Sequence, residues 1–168
     1  MPERKKLLEA ARSARQHAFA PYSLFLVGAA VLTKDGEIIT GCNIESASYG
    51  LTCCAERVAL FKAISQGKRR FKCMAVVADS THPTPPCGAC RQVIWELAGD
   101  IEIILGNLAG ETKTFCMHQL FPHPFDAEFL PDEMDSEDDS DSVSESDDPD
   151  GMVADPSDPA SSDTSSKS

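Results

Sequence analysis

The sequence predicts an α/β fold: a three-layer α-β-α sandwich around a mixed five-stranded sheet. Three observations carry that prediction. Segments with helical spacing of apolar residues alternate with short apolar runs in the order α-β-β-α-β-α-β-β-α. One run, Phe71–Ala78, is continuous, the pattern of a strand buried on both faces. Asp35-Gly36 and the stretch 106–110 carry turn signals that return neighbouring strands antiparallel.

Residues 4–18 read as the first helix, with Leu7, Ala11, Ala14 and Ala18 on one side and Arg and Lys on the other. Ala20-Pro21-Tyr22 ends it. Residues 24–33 and 37–44 form the arms of a hairpin around Lys34-Asp35-Gly36. Residues 43–52, rich in Ser, Gly and Asn, are a loop. Residues 54–66 read as the second helix, with Val58, Phe61 and Ile64 along its apolar side and Gly67 as its stop. Three prolines make 79–86 a loop. Residues 88–97 form the third helix, with Ala89, Val93 and Leu97 in line. Residues 101–105 and Thr112–Cys116 are strands, and short helical pieces follow near 117–121 and 126–130.

A length of 168 residues suits one domain. Residues 131–168 hold 14 of the 27 acidic residues and one of the 15 basic ones, so they carry −13 and dominate the chain's formal charge of −12. Residues 1–130 are near neutral and show no electrostatic footprint for a polyanion. The expected organisation is a folded domain over 1–130 and an acidic Ser/Asp-rich tail over 131–168. The tail has almost nothing to bury, cannot offset its ordering entropy and is expected to be disordered. No apolar run is long enough to span a bilayer, and no apolar signal-peptide core follows the charged start, so a cytoplasmic location is the expectation. An odd count of seven cysteines argues against a disulfide framework and leaves metal binding or burial.

Cys87-Gly88-Ala89-Cys90 is a C-x-x-C at a helix start, where the spacing puts both sulfurs on one side and the helix N-terminus favours thiolates. Alone it is a redox pair, half a zinc site or chance. Cys54-Ala55-Glu56 opens another helix; by itself it is a buried thiol and a first-turn glutamate. Together the two motifs offer three thiolates and a free carboxylate. Three protein ligands leave the fourth position of tetrahedral zinc open to water. His82, in the Pro-rich loop, is the nearest fourth ligand, but a loop histidine of this kind is mostly solvated.

C-x-E followed by P-C-x-x-C is the signature of the zinc deaminases. The match extends through Ala20-Pro21-Tyr22-Ser23, Phe25, Val27-Gly28-Ala29-Ala30, Gly41-Cys42-Asn43-Ile44-Glu45, Cys54-Ala55-Glu56-Arg57 and Pro86-Cys87-Gly88-Ala89-Cys90-Arg91-Gln92-Val93. Over about residues 5–130 the chain resembles the small homotetrameric cytidine deaminases. The resemblance implies that Cys54, Cys87 and Cys90 bind Zn2+ and that Glu56 moves the proton between water and the cytosine ring. It implies substrate contacts from Asn43, Glu45, Phe25 and Ala55, with Asn43 and Glu45 reading the ribose and Phe25 beside the base. Arg57 is implied to donate to the sulfurs and withdraw charge from the metal, and Phe125 to enter a neighbouring subunit's pocket. The implied partners are a nucleoside and three further copies of the chain, with no nucleic acid and no membrane.

The chain departs from the family at Pro85, where Ser or Thr is usual, and at Phe121, where Leu is usual. Cys53 lies about 100° from Cys54 on a helix, so the two do not share one ion. Cys53, Cys42, Cys73 and Cys116 read as core or near-core thiols. The tail lies outside the family pattern; it reads as a solubilising extension whose serines (Ser136, Ser140, Ser142, Ser144, Ser146) are phosphate acceptors or whose charge docks a basic partner. The alternatives are a deaminase of another nucleoside-like substrate and a non-catalytic zinc-binding module.

Overall fold

The sheet grows outwards from two buried strands. In the computed structural model, residues 2–130 are described. The expectations for the tail beyond 130 lie outside the described residues. Strand β3 (Phe71–Ala78) is buried at every position but Lys72. Strand β1 (Val27–Thr33) pairs with it antiparallel, and β2 (Ile38–Cys42) pairs antiparallel with β1. On the other side β4 (Glu102–Asn107) runs parallel to β3, and β5 (Thr112–Cys116) closes the sheet antiparallel to β4. The order is β2-β1-β3-β4-β5, a mixed five-stranded sheet as predicted. The parallel step needs a crossover, and helix α3 (Gly88–Ala98) supplies it.

The period-2 alternation of the strands divides the core into two layers. Ala30, Leu32, Ala75, Val77 and Ile104 face helix α1 (Pro2–Arg15) through Leu7 and Ala11. Ala29, Val31, Met74, Val76, Ile103 and Leu105 face α2 (Ala55–Ser65) and α3. Helices therefore cover both faces. A short helix α4 (Met117–Leu120) and a 3-10 turn at Ala127–Phe129 finish the described chain. Among the described residues no helix is long and apolar enough to cross a membrane.

Several element edges differ from expectation. Helix α1 stops at Arg15, not 18, because Phe19 is drawn into backbone pairing with Asn43 and Glu45. The hairpin turns at Gly36 (φ 94°), and Gly67 (φ 80°) ends α2, both as predicted. The buried side of α2 is Ala55, Ala59, Leu60 and Ala63, while Phe61 is exposed. Apolar residues are spread around that helix among Glu56, Arg57 and Lys62, so periodicity could not pick its face; close packing on the sheet selects the alanines. On α3 the buried residues are Cys90 and Ile94, one position out of phase with the predicted stripe, and Ala89 is exposed. A thiol reserved as a ligand is also a small core residue. Cys73 is buried and Cys42 and Cys53 half-buried, but Cys116 is exposed at the edge of the sheet, where it caps α4.

Two glycines let helices approach the sheet. A Cβ at Gly28 would lie 2.0 Å from the Ala11 carbonyl oxygen of α1, and one at Gly41 would lie 2.4 Å from the Ala59 nitrogen of α2.

Candidate active site

Cys54 is the residue ahead of α2 and Cys87 the residue ahead of α3, both with extended backbone and neither capping its own helix. Their sulfurs are free to face each other and stand 3.9 Å apart. Cys90 lies one turn into α3 and is fully buried. The three sulfurs lie within 4.8 Å of one another. Thiolates bound about 2.3 Å from a tetrahedral zinc stand about 3.8 Å apart, close to the Cys54–Cys87 separation.

The charge environment suits anionic sulfur. Two helix N-termini converge on the cluster, each favouring negative charge. A hydrogen bond from Cys90, with further help from the Arg57 guanidinium and Cys87, lowers Cys54 to about 5 despite its burial. Cys90, the donor in that pair, is pushed well up. Arg57 reaches the Cys54 sulfur at 3.9 Å and gives a 2.8 Å hydrogen bond to the Thr52 carbonyl. Its Nε is buried without a hydrogen-bond partner among the described residues. An unpaired guanidinium donor beside three soft sulfur ligands fits a zinc–thiolate cluster of net negative charge.

Glu56 follows Cys54 by two residues in the first turn of α2 and is 5% exposed. Burial, with the negative Cys54 sulfur adding to it, pushes its carboxyl up to about 7. A carboxyl in that range gives and takes protons near neutral pH. Ala55 lies between them with its methyl fully buried in the core. What Ala55 can offer a ligand is its backbone N–H, one of the first-turn donors that has no intrahelical partner.

Asn43 and Glu45 both turn towards the 19–27 segment, and their polar atoms bind its backbone. The Asn43 amide donates to the Phe25 carbonyl at 2.9 Å and accepts from the Val27 N–H at 2.8 Å. Glu45 accepts from the backbone N–H of Tyr22 (2.9 Å) and Ser23 (3.1 Å) and from the Ser23 hydroxyl. The Ser23 hydroxyl bond and these backbone bonds lower the Glu45 carboxyl. The two residues thus shape the loop that carries Phe25. Phe25 precedes β1 and is partly exposed, so it is a loop aromatic and not a strand core residue.

Phe125 is exposed, stacks on Phe129 at 5.8 Å and accepts at its carbonyl from Gln92 of α3. His82 is exposed and sits 3.5 Å from Glu111, outside the sulfur cluster. Arg91, in the first turn of α3, is half-buried. It donates to the Pro86 carbonyl (2.8 Å) and the Leu120 carbonyl (2.7 Å), tying the entrance of α3 to the end of α4. Its position directly after the P-C-x-x-C motif was the available signal.

A family model described as the cytidine and deoxycytidylate deaminase zinc-binding region matches residues 1–106. The cytidine deaminase of Halalkalibacterium halodurans is 53% identical over 131 residues, covering 77% of this chain and 99% of the relative. That of Sporosarcina psychrophila is 50% identical over 127 residues, covering 75% and 93%. The crystal structure of cytidine deaminase from Burkholderia pseudomallei is similar at a TM-score of 0.71 and 48% identity, covering 72% of this chain and 98% of that one.

Proposed function

The chain belongs to the zinc-binding cytidine and deoxycytidylate deaminase family, and from that premise we propose that it hydrolyses cytidine and 2'-deoxycytidine to the corresponding uridines with release of ammonia. The observation that carries the reading is the set of three clustered sulfurs with a buried carboxyl two residues from one of them. Cys54, Cys87 and Cys90 hold Zn2+. When bound there, zinc supplies Lewis acidity towards water near neutral pH. Water adds at C4 of the cytosine ring, and Glu56 takes its proton and delivers it to N3. Glu56 then carries the proton of the new C4 hydroxyl to the amino group, which departs as ammonia and leaves the C4 oxygen of the uracil ring. Phe25 packs on the base. Asn43 and Glu45 use the donor and lone pairs left over from the loop to bind the sugar hydroxyls, and the Ala55 N–H faces the base.

The test is ammonia release from cytidine and from 2'-deoxycytidine, with and without a zinc chelator. Turnover that the chelator abolishes and zinc restores is expected. No turnover on either nucleoside by zinc-loaded protein overturns the reading.

Arg57 tempers the negative charge of the cluster in this reading. Arg57→Ala is expected to weaken zinc binding or turnover by roughly 10–100-fold, the range for partners that orient metal ligands. Zinc content and turnover both unchanged would remove that role.

Residues 1–130 form the catalytic domain, and a chain ending at residue 131 is expected to turn over cytidine like the full chain. A large loss of activity on truncation would assign the acidic tail a part in catalysis. The assembly is a homotetramer in which Phe125 enters a neighbour's pocket. Exposed Phe19, Tyr22, Leu24, Tyr49 and Leu51, together with Phe125, leave apolar surface for such contacts; light scattering on the purified protein decides it. All seven cysteines are free thiols, in keeping with work in the reducing cytoplasm.

A further inference from the structure

We propose that Gly41 is a positioning residue of the metal centre: its missing side chain sets how low α2 lies on the sheet, and so where Cys54 and Glu56 stand. The proposal rests on the reading of the three sulfurs as a zinc site. A Cβ at Gly41 would lie 2.4 Å from the Ala59 nitrogen, 2.7 Å from the Ala55 carbonyl oxygen and 3.0 Å from the Ala59 Cα. All three are backbone atoms of α2, which no rotamer change can move aside. Restoring ordinary van der Waals distance from 2.4 Å needs a shift of about 1 Å.

The contact spans the first two turns of α2, at Ala55, the residue between Cys54 and Glu56, and at Ala59 one turn further on. The layer around it is built from small side chains. Ala29 pairs with Gly41 across β1 and β2, and Ala55, Ala59 and Ala63 face the sheet from the helix. Helix α3 packs in the same core against larger residues, Ile94, Ile103, Leu105 and Met117, and none of the three atoms nearest a Cβ at Gly41 belongs to it. Lifting α2 therefore moves Cys54 and Glu56 while Cys87 and Cys90 stay in place, and opens the 3.9 Å Cys54–Cys87 separation.

Gly28 supplies the control. A Cβ there meets Ala11 and Arg15 of α1 at 2.0 and 2.5 Å, an even tighter fit, but α1 covers the opposite face and carries none of the three sulfurs. If tight packing alone matters, both glycines behave alike; if Gly41 positions the metal ligands, they separate.

The experiment compares the full-length unsubstituted chain, Gly41→Ala and Gly28→Ala. Zinc affinity is read by competition with a chromophoric chelator, the geometry of the site by the absorption bands of the cobalt(II) form, and folding by circular dichroism. Gly41→Ala is expected to lower zinc affinity at least tenfold, to shift the cobalt bands and to lower kcat about 100-fold, as a 1 Å misplacement does. Gly28→Ala is expected to melt at lower temperature but to keep the zinc affinity and cobalt spectrum. A folded Gly41→Ala chain with unchanged zinc affinity and cobalt bands overturns the proposal, as does the same metal defect in both variants. Should Gly41→Ala fail to fold, Ala59→Ser, which adds one atom to the same buried layer, carries the test: a smaller loss in the same direction supports the proposal and an unchanged site overturns it. An unsubstituted chain that binds neither metal overturns the zinc reading and this proposal with it; one that binds both while Gly41→Ala is unaffected overturns only the role of Gly41.

Discussion

Glu56→Gln leaves zinc bound and lowers kcat for cytidine by roughly 10²–10⁴-fold, the usual contribution of a positioned acid–base group. The amide fills the same buried space at the start of α2, so the helix and its thiolate neighbour keep their places. What it removes is the exchangeable proton, held in a group that burial has pushed up to about 7. KM changes little, because Glu56 acts on the reacting atoms and the sugar contacts come from elsewhere. The check is kcat and KM beside zinc content by atomic emission. If Glu56→Gln loses zinc, the carboxylate is part of the metal site; if it keeps turnover within tenfold, the proton travels by another route.

Cys90→Ser empties the site. Cys90 is the buried member of the cluster, so its loss removes the ligand that the core holds most firmly in place. Zinc is expected to dialyse away and cytidine turnover to vanish. Zinc in thousandfold excess over its dissociation constant stabilises a folded chain by about 4 kcal/mol. That rise in melting temperature is expected for the unsubstituted chain and absent from Cys90→Ser. Cys116→Ser is the contrasting variant. Its thiol is exposed at the end of β5, remote in role from the cluster, and zinc binding should be unchanged. Zinc retained one to one by Cys90→Ser would refute the three-thiolate assignment.

Elements whose cause is local were legible in the sequence. Phe71–Ala78 and Thr112–Cys116 occupy their predicted bounds because an apolar run or a turn signal delimits them. The cysteine motifs were legible because each sits at a helix start and spacing sets the side of the helix. Tertiary choices were not. The face that α2 buries packs against Gly41 and the face that α3 buries carries Cys90, contacts that periodicity does not report, so both stripes were misphased. Asn43 and Glu45 were singled out by the family resemblance alone. Their partners, the backbone groups of residues 22–27, lie about 20 positions earlier and carry no side-chain signal. The ties made by Arg91 were hidden for the same reason: its two acceptors are carbonyls, one of them in α4.

The separation of Cys54 and Cys87 along the chain gives the site a history as well as a geometry. At about 5–20 residues per second, a ribosome takes roughly 2–7 s to add the 33 residues between them. During that interval the nascent chain carries one thiol of the cluster without its partners. The central strand β3 and the crossover helix α3 must then be made and docked before three sulfurs can meet. Metal capture is therefore a late event in biogenesis. It rewards only chains in which the middle of the sheet has already assembled, and zinc occupancy becomes a record of completed folding.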